Sequence, residues 1–285
     1  MVDLKIVENK KVDKRNNLND LTAKEWIQET KSFLYQKGLG SNSLEAKYEK
    51  MHPAPFSFTD ISRLIRFFTK LNGKVLDPFL GVGSTIKACL ELGREGFGVE
   101  LSPEWCEITR KRLYEECNYE ISDKHLICGD SRDIKNIFKN NYFDFIITSP
   151  PYWNILEKKD HKANEREKNG QATKYSEYDL DLGNISDYNK FINELSTILL
   201  KCYYLLKPGK YMNVIVSDFR HKSEFVAFHA DLIAKLTNKK IKNHFDLKGI
   251  IILVQNAKKL YPYGYPFCYV ENIHHQYILI LEKSK

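Results

Sequence analysis

Nine residues in the first third of the chain, 77–85, read Asp-Pro-Phe-Leu-Gly-Val-Gly-Ser-Thr, and the rest of the sequence is organised around them. Residues 74–77 resemble a short strand, and a helix is predicted to follow the loop and to end at Gly93. Gly81 and Gly83 permit backbone conformations closed to other residues and let a ligand approach the main chain. The pattern is not GxGxxG, and no GKS or GKT follows, so a pyrophosphate ligand is disfavoured.

Strands and helices alternate over more than 200 residues around this loop. Further strands are predicted at residues 96–100, 125–128, 142–148, 211–216, 247–254 and 276–281. Helices are predicted at residues 61–71, 103–117, 186–206 and near 224–236. This alternation predicts an α/β fold with a doubly wound, mostly parallel, seven-stranded Rossmann-like sheet and helices on both faces.

Polar residues follow four of the predicted strands: Asp77, Glu100, Asp130 and the pair Thr148-Ser149. Ligands of such sheets bind beyond the carboxyl ends of the strands. Glu100 lies 19 positions after Gly81, where a carboxylate can accept hydrogen bonds from both hydroxyls of a ribose. The sequence therefore predicts one site at this edge of the sheet.

The composition is that of a globular protein, with 42% hydrophobic and 28% charged residues among 285, which excludes a wholly disordered or fibrous chain. The net charge of +7 is compatible with nucleic-acid binding without requiring it. The longest apolar stretch, 250–254, is far below the roughly 20 residues that cross a bilayer. The amino terminus lacks the apolar core of a signal peptide. We therefore expect a cytoplasmic protein without membrane contact.

The six cysteines show no CxxC spacing, so neither a metal site nor a disulfide framework is predicted. We expect most of them to be small buried side chains in a reducing compartment.

Residues 1–50 are predicted to form a helical amino-terminal extension that covers the core, in preference to a DNA-contacting arm. Residues 21–35 have approximate helical spacing, with Trp26, Ile27, Phe33 and Leu34 as inward positions. Residues 51–285 would then form one catalytic domain that carries an inserted loop at 154–184.

A Pro-Pro pair stands directly after the fourth strand, in Thr-Ser-Pro-Pro-Tyr-Trp at residues 148–153. Proline fixes its backbone and has no N–H, so the pair presents a rigid, unpaired carbonyl, and the Ser149 oxygen adds a second acceptor. Two acceptors at one spot suit an exocyclic amino group, whose lone pair is then free to attack an electrophilic methyl. Tyr152 offers an aromatic face for an extruded base, whereas Trp153 is predicted to be a wall or core residue.

These two motifs resemble those of S-adenosylmethionine-dependent DNA amino-methyltransferases of the N4-cytosine/N6-adenine family. Their cofactor loop reads DPFxGxGTT or close to it, and their catalytic motif is Asp, Asn or Ser followed by Pro-Pro and Tyr or Phe. The cofactor motif precedes the catalytic motif here. The segment 52–56 is similar to the remaining cofactor motif of the family, with Pro55 where many members carry lysine. The resemblance covers residues 52 to 282.

The resemblance implies S-adenosyl-L-methionine as cofactor, with Asp77 and Gly81 near its amino-acid end, Glu100 on the ribose and Asp130 on the adenine amino group. The implied cofactor-binding residues are His52, Pro53, Ala54, Phe56, Asp77, Pro78, Phe79, Gly81, Gly83, Ser84, Thr85, Glu100, Leu101, Ser102, Asp130 and Ser131. The implied catalytic residues are Ser149, Pro150, Pro151 and Tyr152.

The expected activity is site-specific methylation of DNA at cytosine N4, because family members with serine first in the catalytic motif are mostly cytosine enzymes. Adenine N6 is the nearest alternative, followed by the N2 of guanine in RNA and by an inactive nucleic-acid-binding module. A cytosine-C5 enzyme is disfavoured because it needs a nucleophilic cysteine, usually in Pro-Cys, which the chain lacks. The expected partners are DNA and a cognate restriction endonuclease that acts separately, and the protein would be a monomer or homodimer.

Two segments are candidates for substrate contact. The inserted loop 154–184 is rich in charge and is either a solvated loop or a DNA-contacting lid. Residues 258–269, KKLYPYGYPFCY, which we call the aromatic segment, interleave tyrosines with prolines beside two lysines. Their side chains either contact phosphates and bases or pack structurally. Asp218, after the fifth strand, is a further candidate to line a base pocket.

Overall fold

A computed structural model describes residues 11–36, 44–51, 57–153, 178, 180–222, 224–256 and 258–284. The predicted cofactor residues His52, Pro53, Ala54 and Phe56 lie outside the described residues, as does most of the inserted loop.

The described helices are α1 (Ala23–Glu29), α2 (Leu44–Met51), α3 (Phe58–Phe68), α4 (Ser84–Leu92), α5 (Pro103–Cys117), α6 (Ile134–Ile137), α7 (Tyr188–Leu205) and α8 (Phe228–Leu236). The strands are β1 (Phe33–Tyr35), β2 (Lys74–Asp77), β3 (Glu95–Glu100), β4 (Leu126–Cys128), β5 (Phe143–Thr148), β6 (Leu206–Val216), β7 (Phe219–His221), β8 (Glu224–Val226), β9 (Asp246–Val254) and β10 (His275–Glu282). Short 3-10 turns span Ser131–Asp133 and Leu182–Asn184.

The main sheet confirms the predicted α/β architecture. Its strand order is β1-β9-β10-β6-β5-β2-β3-β4, and β10 runs antiparallel to both of its neighbours while the other pairings are parallel. Strands β7 and β8 form a separate antiparallel pair. Because the parallel strands point the same way, β2, β3, β4, β5, β6 and β9 end at one edge of the sheet.

Apolar side chains cover both faces of this sheet, as expected for a parallel sheet whose strands are near-continuous hydrophobic runs. Phe143 and Ile146 of β5 pack with α7 and α8 on one face. Phe145 of the same strand faces the opposite way and stacks on Phe68 of α3, with ring centroids 5.1 Å apart. The result is the predicted layer of helices on each face.

The amino-terminal extension differs from the prediction, which continued one helix to residue 35. Helix α1 begins with a capping box between Thr22 and Glu25 and ends at Glu29. Residues 33–35 instead form β1, an eighth strand that pairs in parallel with β9. Leu34 is buried, whereas the predicted inward residues Ile27 and Phe33 are exposed. The period-two pattern of this tripeptide suits an edge strand better than a helix.

Two further predictions need correction. The helix predicted near 224–236 begins only at Phe228, because Glu224–Val226 pair with β7 as β8. The cysteines are not all free, since Cys106 of α5 and Cys128 of β4 form a disulfide across 22 residues of sequence. The spacing of these two cysteines matches no sequence motif. The fold brings their Cα atoms to 6.2 Å, a distance at which a disulfide can form.

Candidate active site

The strand ends surround a cleft that opens to solvent. Its lining includes the sequence-predicted residues Pro78, Phe79, Gly81, Glu100, Leu101, Asp130, Ser131, Ser149, Pro150 and Pro151. Residues not predicted from the sequence complete it: Val99, Trp105, Arg132, Leu180, Asp181, Leu182 and Ile198. The structure thus brings ten of the sixteen predicted site residues that it describes into one cavity.

The glycine loop after β2 is shaped by close contacts with its neighbours. Gly81 and Gly83 have φ angles of 57° and 80°, which L side chains rarely adopt. A Cβ on Gly83 would lie 2.6 Å from Thr109 Cγ2. With any residue larger than glycine at this position, α5 could not pack as close to the loop. The Thr109 hydroxyl donates to the Gly81 carbonyl at 3.0 Å. Gly83 is therefore packed against α5 beneath the loop and is outside the cleft lining given by the described residues.

Asp77 holds the glycine loop in place through hydrogen bonds on its buried side. Its buried carboxylate accepts hydrogen bonds from the Thr85 hydroxyl at 2.6 Å, the Thr148 hydroxyl at 2.7 Å and the Phe79 amide at 3.0 Å. Burial raises the pKa of Asp77 to about 6, against the lowering effect of those donors. The sequence predicted that Asp77 and Thr85 contact the cofactor. Neither residue is among those that line the cleft, and their contact with the cofactor stays a prediction. Asp77 ties the glycine loop to the end of β5, directly before Ser149.

Glu100 faces the cleft from the end of β3. One carboxylate oxygen accepts from the Gly81 amide at 2.8 Å and the other from the Ser102 amide at 2.9 Å. Burial, aided by the negative charge of Asp181, raises the pKa of Glu100 to about 7. A carboxylate has about four acceptor positions, so this one retains two for ribose hydroxyls. Ser102 itself caps α5 by accepting from the Trp105 amide and is not a wall of the cleft.

Asp130 and Ser131 stand at the end of β4 on the cleft wall. Asp130 accepts from the Arg132 amide at 2.8 Å and pairs with its guanidinium at 3.0 Å. Ser131 donates to the carbonyl of Pro78 and so joins the β4 end to the glycine loop. Arg132, which the sequence did not single out, also pairs with Glu194 of α7 at 3.3 Å. The Asp130 carboxylate is thereby fixed in the wall.

The catalytic motif leaves β5 directly into the cleft. Ser149, Pro150 and Pro151 all line it, in the same cavity as Glu100 and Asp130. Ser149 and Pro151 are partly exposed, whereas Pro150 is buried. The predicted acceptor groups and the predicted ribose carboxylate therefore share one cavity.

Tyr152 and Trp153 turn away from this cavity. Tyr152 is only 7% exposed, its ring packs edge-on against Phe228 at 6.1 Å, and its hydroxyl accepts from Gln276 at 3.1 Å. Burial raises the pKa of Tyr152 to about 12, so it stays protonated. Tyr152 is not among the residues that line the cleft, and its role as a stacking platform for a base stays a prediction. Trp153 is buried and donates to the Ile185 carbonyl at 2.8 Å, as predicted for a core residue.

Arg112 is a positioning residue that sequence reasoning missed. It is fully buried on α5 and donates to the Val82 carbonyl at 3.1 Å and to the Ser84 hydroxyl at 2.9 Å. Its charge is balanced by Glu116 at 3.0 Å and Glu49 at 3.4 Å. Ser84, a predicted cofactor residue, is therefore buried beneath the loop. The i,i+4 spacing of Arg112 and Glu116 is visible in the sequence, but its reach to the loop is not.

Asp218, predicted to line a base pocket, lies outside the cleft lining formed by the described residues. It is buried just after β6, with Oδ1 2.8 Å from Nδ1 of His229. The His229 ring stacks on Tyr277 with centroids 3.8 Å apart. This group supports the edge of the sheet beside the catalytic motif.

In the part of the chain that the structure describes, no three His, Cys, Asp or Glu side chains gather as a metal site. None of the described helices combines the length and apolarity needed to cross a membrane.

The fold and cleft define a class: a Rossmann-like methyltransferase, with a glycine loop after its first central strand and an acidic residue after the next. The sequence model of the DNA methylase family N6_N4_Mtase matches residues 2–111 and 143–285, and the chain belongs to this family. S-adenosyl-L-methionine is the cofactor of this family of methylases. The cleft suits this cationic nucleoside, because Glu100 and Asp130 offer carboxylates and the loop lacks a pyrophosphate cradle.

Known relatives match shorter stretches. The chain is 35% identical over 86 residues to the type II methyltransferase M2.LlaDCHI of Lactococcus lactis. The matched stretch covers 29% of this chain and 32% of that relative. The chain is 28% identical over 92 residues to a tRNA (guanine(10)-N2)-dimethyltransferase of Pyrococcus abyssi, covering 32% of this chain and 27% of the relative. The chain thus spans about a third or less of the curated relatives it matches.

Among solved structures, PH0851 is similar in fold, with a TM-score of 0.51 and 12% sequence identity, over 79% of this chain and 45% of that one.

Proposed function

We propose that this protein transfers a methyl group from S-adenosyl-L-methionine to the exocyclic N4 of a cytosine that is flipped out of duplex DNA. The observation that carries the proposal is that Ser149, Pro150 and Pro151 share one cavity with Glu100 and Asp130. A nucleoside cofactor held by the two carboxylates would have its reactive end near the acceptors of the catalytic motif. Residues 51–285 would be the catalytic domain, acting in the cytoplasm as a monomer or homodimer.

In this proposal the cleft holds the cofactor by its polar ends. Glu100 accepts hydrogen bonds from the ribose hydroxyls, and Asp130 accepts one from the adenine amino group. Phe79 and Trp105 supply apolar walls to the same cavity. Gly81 leaves room for the amino-acid end, and the segment 52–56 remains a predicted part of this site.

The catalytic motif positions the nucleophile. When bound, S-adenosyl-L-methionine supplies an electrophilic methyl group on a positively charged sulfur. The Ser149 oxygen and the Pro150 carbonyl accept the two amino hydrogens of the base and direct its nitrogen lone pair towards that methyl group. As the new C–N bond forms and the C–S bond breaks, S-adenosylhomocysteine would be the leaving group, and the surplus proton of the methylated amine would pass to solvent water. Asp77 and Thr148 act indirectly, by fixing the two loops relative to each other.

Cytosine is favoured over adenine because serine is the first residue of the catalytic motif. The family includes both N6 and N4 enzymes, so adenine N6 is the nearest alternative. Guanine N2 in RNA is the second alternative target, because the chain is similar to a tRNA (guanine(10)-N2)-dimethyltransferase of Pyrococcus abyssi. An inactive binding module is disfavoured because the glycine loop, Glu100 and the catalytic motif are all intact. Because M2.LlaDCHI is named a type II methyltransferase, we also propose a cognate restriction endonuclease that acts separately.

The test is to incubate the protein with labelled cofactor and either unmethylated DNA or RNA, and to identify the labelled nucleoside by mass spectrometry. Labelled N4-methylcytosine from DNA is the expected product. N6-methyladenine would replace cytosine with adenine as the target. Label confined to RNA would refute a DNA substrate.

A further inference from the structure

The aromatic segment projects from the same edge of the sheet as the cleft. It lies between β9, which ends at Val254, and β10, which begins at His275. Strand β9 points in the same direction as β5, so its carboxyl end lies at the edge where β5 delivers Ser149. The segment therefore follows a strand that ends at the same edge of the sheet as the catalytic motif.

The base of this projection is joined to the catalytic motif through side chains. The Gln255 amide donates to the His274 carbonyl at 2.7 Å, which closes the projection. The Gln255 side chain donates to Gln276 at 3.3 Å, and Gln276 in turn donates to the Tyr152 hydroxyl at 3.1 Å. Two side-chain hydrogen bonds thus connect Gln255, three residues before the aromatic segment, to Tyr152, the residue that follows Pro151.

The segment has a defined shape of its own. Asn272 bonds with both the amide and the carbonyl of Tyr261, at 2.9 and 2.8 Å, and so holds its two sides together. At its tip, the Gly264 carbonyl accepts from the amides of Phe267 at 2.7 Å and Cys268 at 2.8 Å. Gly264 has a φ of 75°, which suits glycine. These hydrogen bonds give the aromatic segment a defined backbone conformation that does not depend on a ligand.

This organised backbone holds large apolar side chains in water. Leu260 is 74% exposed, Tyr265 81%, Phe267 92% and Tyr269 84%. Clustered exposed apolar side chains on a soluble protein mark interaction sites. Of the three tyrosines for which the sequence left packing open, Tyr265 is exposed, whereas the rings of Tyr261 and Tyr263 contact each other with centroids 5.6 Å apart.

The charge around these side chains favours a nucleic acid as the occupant. Lys258 and Lys259 are exposed, and residues 258–269 contain no Asp or Glu. Aromatic faces beside basic residues are the usual surface for unpaired or unstacked bases and their phosphates. Extruding a base exposes the faces of its neighbours in the duplex, which then need a stacking partner.

We propose that the aromatic segment contacts the DNA beside the flipped target, with Tyr265, Phe267 and Tyr269 stacking on bases that extrusion exposes. Lys258 and Lys259 contact the adjoining phosphates. This inference rests on the proposed function, since it assumes that the substrate is DNA and that its base is flipped out.

The test compares DNA affinity of the wild type and of a triple variant, Tyr265→Ala/Phe267→Ala/Tyr269→Ala, by fluorescence anisotropy with a labelled duplex and S-adenosylhomocysteine. We expect the variant to bind DNA at least about tenfold more weakly, since one lost base stack alone costs about fivefold or more. Cofactor affinity should remain unchanged, which reports an intact fold. The slope of log affinity against log salt should also be unchanged, because no phosphate contact is removed.

Two variants serve as controls. Tyr114→Ala removes a tyrosine that is also exposed, near the end of α5 and away from the cleft edge, and should leave DNA affinity at the wild-type value. A Tyr265→Phe/Tyr269→Phe double variant keeps the aromatic faces and should bind DNA within about twofold of the wild type, since stacking needs only a ring face.

The outcomes separate this inference from the proposed function. A triple variant that binds DNA as well as the wild type, which itself methylates DNA, overturns the inference alone. Loss of self-association with unchanged DNA affinity also overturns it, by assigning the surface to a second copy of the chain. A wild type that methylates no DNA overturns the proposed function, whatever the variant does.

Discussion

The Thr148 hydroxyl at the end of β5 donates a hydrogen bond to the buried carboxylate of Asp77 at the end of β2, over 2.7 Å. Asp77 also holds Thr85 and the Phe79 amide of the glycine loop. The next residue after Thr148 is Ser149, the first of the catalytic motif. One buried carboxylate thus fixes the spacing between the proposed cofactor loop and the proposed acceptor of the target amine.

Replacing Thr148 with valine tests this link. The substitution keeps the shape of the side chain and leaves Asp77 with one donor fewer, so we expect the free energy of unfolding to fall by about 1–3 kcal/mol. Turnover should fall more than cofactor affinity, because the link sets the relative position of two loops. Thermal unfolding and steady-state kinetics measure the two effects. Thr148→Ser keeps the donor and should restore both, and a valine variant with wild-type turnover would refute the positioning role.

The pKa of Glu100 predicts how cofactor binding depends on pH. Burial raises this pKa to about 7, so the carboxylate becomes a full acceptor only as the pH rises through that value. Calorimetric titration should therefore give tighter cofactor binding at pH 8 than at pH 6. Glu100→Gln should bind the cofactor weakly and lose the part of the pH dependence that comes from Glu100. The pH dependence that remains in this variant measures the contribution of the cofactor's own ionisable groups. Equal pH dependence in both proteins would contradict the assignment.

The same shift predicts the stability of the cofactor-free protein. The folded state favours protonated Glu100, so its contribution to stability is complete below about pH 4.5 and is lost as the pH rises through about 7. Between pH 5 and pH 8 the wild type should therefore lose more stability than Glu100→Gln, which has no carboxyl group to titrate at this position. Thermal unfolding of both proteins at the two pH values measures this difference. Equal losses in the two proteins would show that Glu100 does not contribute to the pH dependence of stability.

Gly83→Ala should damage the cofactor loop. The new Cβ would meet Thr109 Cγ2 at 2.6 Å, and the backbone has a φ of 80°, a strain that typically costs about 1–3 kcal/mol. Cofactor affinity should fall about tenfold or more as the loop shifts, because 1.4 kcal/mol corresponds to a factor of ten. The added change Thr109→Ser removes the clashing methyl group and keeps the hydroxyl that bonds Gly81. It should recover part of the affinity, and no recovery would argue against the clash.

Local signals in the sequence were sufficient for much of the fold. Ser102 followed by Pro103 marks the start of α5, and the helix ends at Cys117 as predicted, because caps depend on neighbouring residues. The order of polar strand ends also predicted most of the cleft, since parallel strands must end together. Strand β1 was missed because its partner, β9, lies more than 200 residues away in the sequence.

The parts of the site that the sequence did not predict depend on side-chain direction and on distant contacts. Asp77 and Thr85 are buried and hydrogen-bonded to each other at 2.6 Å, outside the lining of the cleft, and the motif does not indicate these side-chain directions. Arg112 reaches the loop across 28 residues of sequence, and no motif marks that contact. Tyr152 lies in the predicted motif, yet its ring packs against Phe228 of α8, whose position only the fold determines.

In the proposed reaction the cofactor and the target amine meet at Ser149 and Pro150. A crystal structure of the protein with S-adenosyl-L-methionine tests this most directly. We expect the ribose hydroxyls on Glu100, the adenine amino group near Asp130 and the methyl group facing the Ser149 oxygen and the Pro150 carbonyl. A cofactor bound elsewhere, or in this cleft with its methyl group directed away from Pro150, would contradict the account.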